Sequence, residues 1–178
     1  QTFPVRFADH PAFSQDPEIY PGHNGKVRYE EGLFIGHKHY DKLGIAPLFP
    51  FGFGLSYSSF DWSDLKVTAQ GDDFIAEISV TNTGARSGSD MVQIYVEDTD
   101  PILPRPLREM KGFAKLHLQP GETKNARIAL TPRSFAVFDV DKQDWIARAG
   151  SFTIRAARNA SEFVSSAEIR RKIERRSK

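Results

Sequence analysis

Between Asp73 and Thr81, the apolar Phe74, Ala76, Ile78 and Val80 alternate with Asp73, Glu77, Ser79 and Thr81. A two-residue period is that of a half-buried β-strand. Asn82-Thr83-Gly84 then closes the run with residues that tolerate turn geometry. A second strand is predicted where Val92, Ile94 and Val96 alternate with Met91, Gln93 and Tyr95. A third covers Phe113 to Leu118 and stops at Gln119-Pro120-Gly121-Glu122, where Pro presets φ. Ala126, Ile128 and Leu130 mark the next, ended by Thr131-Pro132. Phe135 to Val140, Trp145 to Ala147 and Phe152 to Ala156 follow, with Leu65 and Val67 at the front. About seven or eight short strands with no helical period between them predict an antiparallel β-sandwich.

Residues 1 to about 58 follow neither period. One short helix is predicted within Tyr29–Tyr40, with Leu33 or Phe34, His37 and Tyr40 on adjacent turns. Pro47 to Tyr57 is a glycine- and aromatic-rich loop whose prolines bar it from a central strand. Phe3, Phe7, Phe13, Phe34, Phe49, Phe51, Phe53 and Tyr57 supply apolar surface but too few elements to enclose it. This segment needs cover from elsewhere.

Composition narrows the function classes. The chain of 178 residues has no cysteine, which excludes disulfides and thiolate metal sites and leaves the compartment open, with a secreted or periplasmic one favoured. No stretch approaches the roughly 20 apolar residues of a membrane-spanning helix. The start, Gln1-Thr2-Phe3-Pro4-Val5, lacks an initiator Met and the build of a signal peptide, as expected of a processed or cut piece. Net charge is +1, but residues 170–178 alone carry +5, so the preceding 169 residues carry −4. Nucleic-acid binding calls for a basic face on the folded body, and the excess here is terminal. The expectation is a solvated end, frayed or a last helical turn.

Several runs then resemble a known family. Val27-Arg28-Tyr29-Glu30-Glu31-Gly32-Leu33-Phe34-Ile35-Gly36 with Tyr40-Asp41 is similar to a stretch of family 3 glycoside hydrolases, the β-glucosidase family. Leu48-Phe49-Pro50-Phe51-Gly52-Phe53-Gly54-Leu55-Ser56-Tyr57 resembles that family's FPFGYGLSY signature. Val80-Thr81-Asn82-Thr83-Gly84 and Pro104-Arg105-Pro106-Leu107-Arg108-Glu109-Met110-Lys111-Gly112-Phe113 resemble two more of its runs. His37-Lys38-His39 depart from its usual Tyr-Arg-Tyr, and Asp90 stands where Glu is common. The resemblance implies that residues 1–58 end an α/β sandwich domain and residues 59–168 form an immunoglobulin-like, fibronectin type III-like domain, before a basic tail at 169–178. It also implies that the barrel with the nucleophilic Asp, and the stretch with the acid/base Glu, lie outside this chain.

The chemistry of the residues points the same way. Retaining glycoside hydrolysis needs two carboxyl groups about 5–5.5 Å apart, one kept protonated. Glu30 and Glu31 are adjacent, so their side chains diverge; Glu31 is read as a buried partner or helix-start acid and Glu30 as solvated. No catalytic residue is assigned to this chain, and no metal or cofactor site. His37 and His39, with His23 and His10 near in sequence, lack the convergence zinc needs and are read as packing groups. The Phe49–Tyr57 aromatics are read as interdomain packing with Gly52 and Gly54 allowing close approach, and Trp62 and Trp145 as core or sheet-end cover. Asn159-Ala160-Ser161 fits the N-glycosylation pattern.

The expected role is structural: this piece buttresses a retaining β-glucosidase acting on terminal non-reducing β-D-glucosyl residues. Its partners are then the missing catalytic part and the β-glucoside which that part binds, with no nucleic acid and no membrane. β-Xyloside and β-N-acetylglucosaminide specificities remain alternatives, as does a stand-alone carbohydrate- or protein-binding module.

Overall fold

The computed structural model describes residues 2–11, 16–172 and 175–176, the last two through their backbone. Phe13 and the tail residues Glu174 and Lys178 lie outside these. The chain is mainly β, as expected. A 3-10 turn at Phe7–Asp9 and helix α1 (His37–Leu43) come first. Strands β1 (Phe60–Trp62), β2 (Lys66–Gln70), β3 (Asp73–Asn82), β4 (Gly88–Asp98), β5 (Glu109–Leu118) and β6 (Thr123–Leu130) follow. One helical turn, α2 (Pro132–Phe135), leads into β7 (Val137–Asp139), β8 (Asp144–Ala147), β9 (Gly150–Asn159), β10 (Glu162–Arg171) and β11 (Arg175–Arg176).

Two antiparallel sheets face one another. In the first, β6 pairs along β3 from Phe74 to Thr81, so β1 and β2 share the opposite edge of β3 in succession. The second has the order β10-β9-β4-β5, and β7, β8 and β11 make a small third sheet. The core between the two large sheets holds Val80, Val92, Ile94, Leu118, Leu130, Phe135, Phe152 and Ile154, each fully or almost fully buried. A buried Val, Leu, Ile or Phe contributes about 1.5–3 kcal/mol, so this cluster is the main source of stability. On β6 the alternation is clean: Ala126, Ile128 and Leu130 are buried and Arg127 and Ala129 exposed.

Three expectations need correction. The helix does not take in Leu33 or Phe34: Gly36 sits at φ 56, outside the helical region, and α1 starts one residue later and runs past Tyr40 to Leu43. Phe135 ends a helical turn rather than opening a strand, because Pro132 is preset for a first helical position. The basic run is not a solvated end from its first residue. Arg170 and Arg171 finish β10, paired with Ser151 and Gly150, and β11 pairs with Ala147 and Ile146 of β8. Arg171 is buried, donates to the carbonyl of Arg148 at 3.3 Å and lies 5.1 Å from the Phe135 ring. Its long stem covers the core's end, which a charge count does not reveal.

Candidate functional site

Strand β4 is buried on both faces. Val92, Ile94 and Val96 point into the sandwich, while Gln93 and Tyr95, on the other face, are also buried. What covers that second face is His37, Phe51 and Gly52 from the preceding segment, with Met110, Ala157 and Phe163 from the sheet itself and Ala160 from the β9–β10 turn. This seam is where the aromatic segment meets the sandwich.

The seam is built from a few exact fits. Gly52 adopts φ 84, and a Cβ there would fall 2.0 Å from Gln93 Nε2. Only glycine fits both the conformation and the contact. Gln93 Nε2 donates to the Arg158 carbonyl at 3.4 Å, and Tyr95 Oη donates to Gln93 Oε1 at 2.8 Å. The Ala160 amide donates to the Phe51 carbonyl at 2.9 Å, joining loop to sheet. The His37 ring lies 5.8 Å from both Phe51 and Tyr95, edge-on to the tyrosine. Burial pushes the His37 imidazole below its ordinary pKa and the Tyr95 phenol well above its own.

An ion pair closes the seam. Arg108, which precedes β5, donates to Asp41 of α1 from Nε at 3.0 Å and from Nη2 at 2.5 Å, a two-pronged geometry. The same guanidinium lies 4.3 Å from the Phe163 ring. A cavity of about 350 Å³ opens here, bounded by Thr2, His37, Asp41, Pro47, Pro50 and Arg108 among others. A second clasp holds the chain after the loop. Ser58 Oγ donates to Asn82 Oδ1 at 2.6 Å, and the buried Asn82 donates in turn to the carbonyls of Arg86 and Leu118. A Cβ on Gly84 would meet Ser58 Oγ at 2.2 Å and the Ser59 amide nitrogen at 2.9 Å, so this turn fits closely against the linker.

The residues singled out from sequence fall in different places. Glu30 is exposed and pairs with Arg28 at 2.8 Å, beside Asp16 and Glu18 on the same guanidinium. Glu31 is half-buried. His39 meets Tyr40 edge-on at 5.4 Å, and among the described residues no three of His, Asp or Glu converge as a metal site would require. Phe51 packs in the seam, but Phe49, Phe53, Leu55 and Tyr57 remain exposed. Gly52 makes the expected close approach; a Cβ on Gly54 would meet nothing within 4 Å. Trp62 packs on the core and donates to Asp90 at 2.7 Å. One face of Trp145 is covered by the Arg133 guanidinium at 3.4 Å. Asn159 is buried, and its side chain closes the β9–β10 turn by accepting from the Ser161 and Glu162 amides at 3.0 Å and donating to Glu162. A glycan on that nitrogen requires the turn to open.

Asp98, which is buried, and Glu109, which is half-buried, both face cations. Asp98 accepts from Arg105 at 3.2 Å and from Arg148 at 2.5 Å. Glu109 accepts from Arg105 at 2.6 Å and pairs with Lys111 at 3.3 Å. Burial alone raises a carboxyl, but Lys111 and Arg105 outweigh it and hold Glu109 below its ordinary pKa. A glycosidic acid needs the opposite shift. This is an ion-pair clasp.

Asp41 and Arg108 stand in runs that carry the resemblance and Gln93 and Tyr95 in a predicted strand, but nothing in the sequence brings the four together at a seam. Tyr95 and Gln93 occupy the outward positions of an alternating strand, and nothing in that period tells that the outer face is covered.

Comparison with known proteins follows this geometry. Residues 90–160 match the family described as fibronectin type III-like domain. The chain is 44% identical over 172 residues to a β-glucosidase from Rhizobium radiobacter, covering 95% of this chain and 21% of that protein. It is 39% identical to thermostable β-glucosidase B of Acetivibrio thermocellus, covering 96% and 22%. In structure it matches a Kluyveromyces marxianus β-glucosidase solved with glucose, at a TM-score of 0.90 and 31% identity over 99% of this chain and 21% of that one. The chain spans about a fifth of the length of the relatives it matches.

Proposed function

We propose, from the premise that the chain carries a fibronectin type III-like domain and corresponds to the C-terminal part of family 3 β-glucosidases, that it buttresses the catalytic part of a retaining β-glucosidase. On this reading residues 1–58 complete a neighbouring α/β domain, residues 59 onward form the supporting sandwich, and both catalytic carboxyl groups come from outside this chain. The intact enzyme removes terminal β-D-glucosyl residues. This chain alone is inactive.

One observation carries the reading. The segment before the sandwich leaves Phe7, Tyr29, Leu55 and Tyr57 at 70%, 85%, 92% and 95% exposure, although Asp41 and Ser58 clasp it to the sandwich. So much exposed aromatic and aliphatic side chain beside a clasped segment is half of an interface. The ionic clasp around Asp98 and Glu109 supports the same view, since carboxylates neutralised by guanidinium groups serve structure rather than proton transfer.

The test compares the chain with the full-length enzyme on a nitrophenyl β-glucoside. The full-length enzyme is expected to turn over and the chain to show none; turnover by the pure chain sinks the reading. Deleting residues 59–178 should lower the thermal midpoint of the full-length enzyme by many degrees. A clean monomeric peak near 20 kDa with measurable glycan affinity favours an independent binding module instead.

A further inference from the structure

A groove of about 400 Å³ runs between the 103–106 loop and the β7–β8 hairpin, and shares no lining residue with the cavity beside Arg108. Leu33, Pro104, Val137, Phe138, Val140 and Trp145 make its apolar lining, and Leu33, Phe138 and Val140 are 53%, 40% and 69% exposed. Its charged members are mostly engaged already. Arg105 is bound to Asp98 and Glu109, and Asp139 accepts from the Asp141 and Lys142 amides within its own hairpin. Lys38 and Asp141 complete its charged lining.

The occupant has to be apolar. A sugar needs an open ring face with hydrogen-bonding groups beside it, whereas Arg133 already covers one face of Trp145 and the Phe138 ring meets it at 65°. Apolar side chains of a polypeptide fit the lining better.

We propose that this groove receives an apolar segment from the upstream, catalytic part of the same polypeptide, so that the sandwich is gripped at a second place beyond the aromatic segment. The inference rests on the reading given under Proposed function. Two observations favour this occupant over a second copy of the chain. One wall of the groove is Leu33, which belongs to the segment before the sandwich and is exposed there like its sequence neighbours Tyr29 and Ile35, residues the upstream part would cover. The relatives also carry roughly four-fifths of their length outside the matched part, ample chain to reach it.

The test places the photo-crosslinker benzoylphenylalanine at Val140, at Tyr29 or at Phe113 in the full-length enzyme, each a highly exposed position. After irradiation and digestion, mass spectrometry identifies the captured peptide. Positions 140 and 29 are both expected to capture peptides from upstream of residue 1, and position 113, on β5 outside the groove, to capture none. If position 29 captures upstream peptide while position 140 captures nothing, its own chain, or a second copy in a crosslinked dimer, this inference is overturned and the broader reading stands. Upstream capture at position 113 as well overturns it too, since proximity would then be unselective. If neither 29 nor 140 captures upstream peptide, both fall.

Discussion

The sandwich from residue 60 onward and the segment before it are both rich in aromatic residues, yet they treat them oppositely. In the sandwich Phe135 and Phe152 are wholly buried and pack edge-to-face 5.1 Å apart. In the segment Phe49 and Phe53 also meet, at 5.1 Å, but remain 43% and 45% exposed. The difference lies in the number of paired strands that face one another. Two sheets enclose a ring from both sides, whereas one short helix and a loop have only one side to offer. Burial follows closure of the layers, not the aromatic content of the stretch.

The sharpest test of that contrast swaps a ring for a methyl group in each region. Phe152→Ala should cost about 3–5 kcal/mol in urea unfolding of the chain. Tyr57→Ala should stay within about 0.5 kcal/mol in the same measurement. The contrast breaks if the two losses are alike, and it is sharpened if Tyr57→Ala becomes costly only in the full-length protein. Asn82→Ala comes next, at about 2–3 kcal/mol, because it strands the buried Leu118 carbonyl and frees Ser58 together with the linker. Chemical denaturation read at Trp62 and Trp145 follows it.

Arg108→Ala should lose about 2 kcal/mol by leaving Asp41 enclosed without its cation. Arg108→Lys should recover only part of that, since an ammonium cannot present the two-pronged donor pair. Full recovery by lysine would show that charge alone holds the seam. Gly52→Ala should cost about 1–2 kcal/mol, and Gln93→Ala in the same chain should restore the part due to contact but not the part due to φ.

The smallest effect is expected from pH. Burial keeps His37 neutral among Asp41, Lys38, Arg108 and Glu109, so its folded pKa lies below the ordinary value. The unfolded imidazole takes up a proton near about pH 6.5. Stability linked to this group is therefore complete above that pH and is lost as pH falls toward the folded pKa. His39, also held low by burial, contributes in the same direction. His37→Phe should flatten the slope of thermal midpoint against pH between about 6.5 and 5, leaving the His39 share.

The sandwich was readable in sequence because its strands carry their own period. β3 and β6 announce an inner and an outer face at each step. β10 was overlooked: Val164, Ala167 and Ile169 are spaced unevenly around Ser165, Ser166 and Glu168, and its register with β9 shifts twice near Phe163. The seam was hidden for another reason. Gln93 and Tyr95 look solvent-facing in a strand, and only the fold reveals that His37, Phe51 and Gly52 lie over them. Pairings such as Asp41 with Arg108, 67 positions apart, belong to tertiary geometry and leave no local pattern. Gly52 was legible, since glycine among aromatics signals a close pass; its counterpart Gln93 was not.

The double burial of β4 bears on how the module could be borrowed. Cut loose at the linker for use as a fusion partner, the sandwich would present Tyr95, Met110 and Phe163 as a raw adhesive stripe, inviting clumping. A designer would have to repaint that stripe with soluble side chains, or carry the preceding loop along as its wrapper.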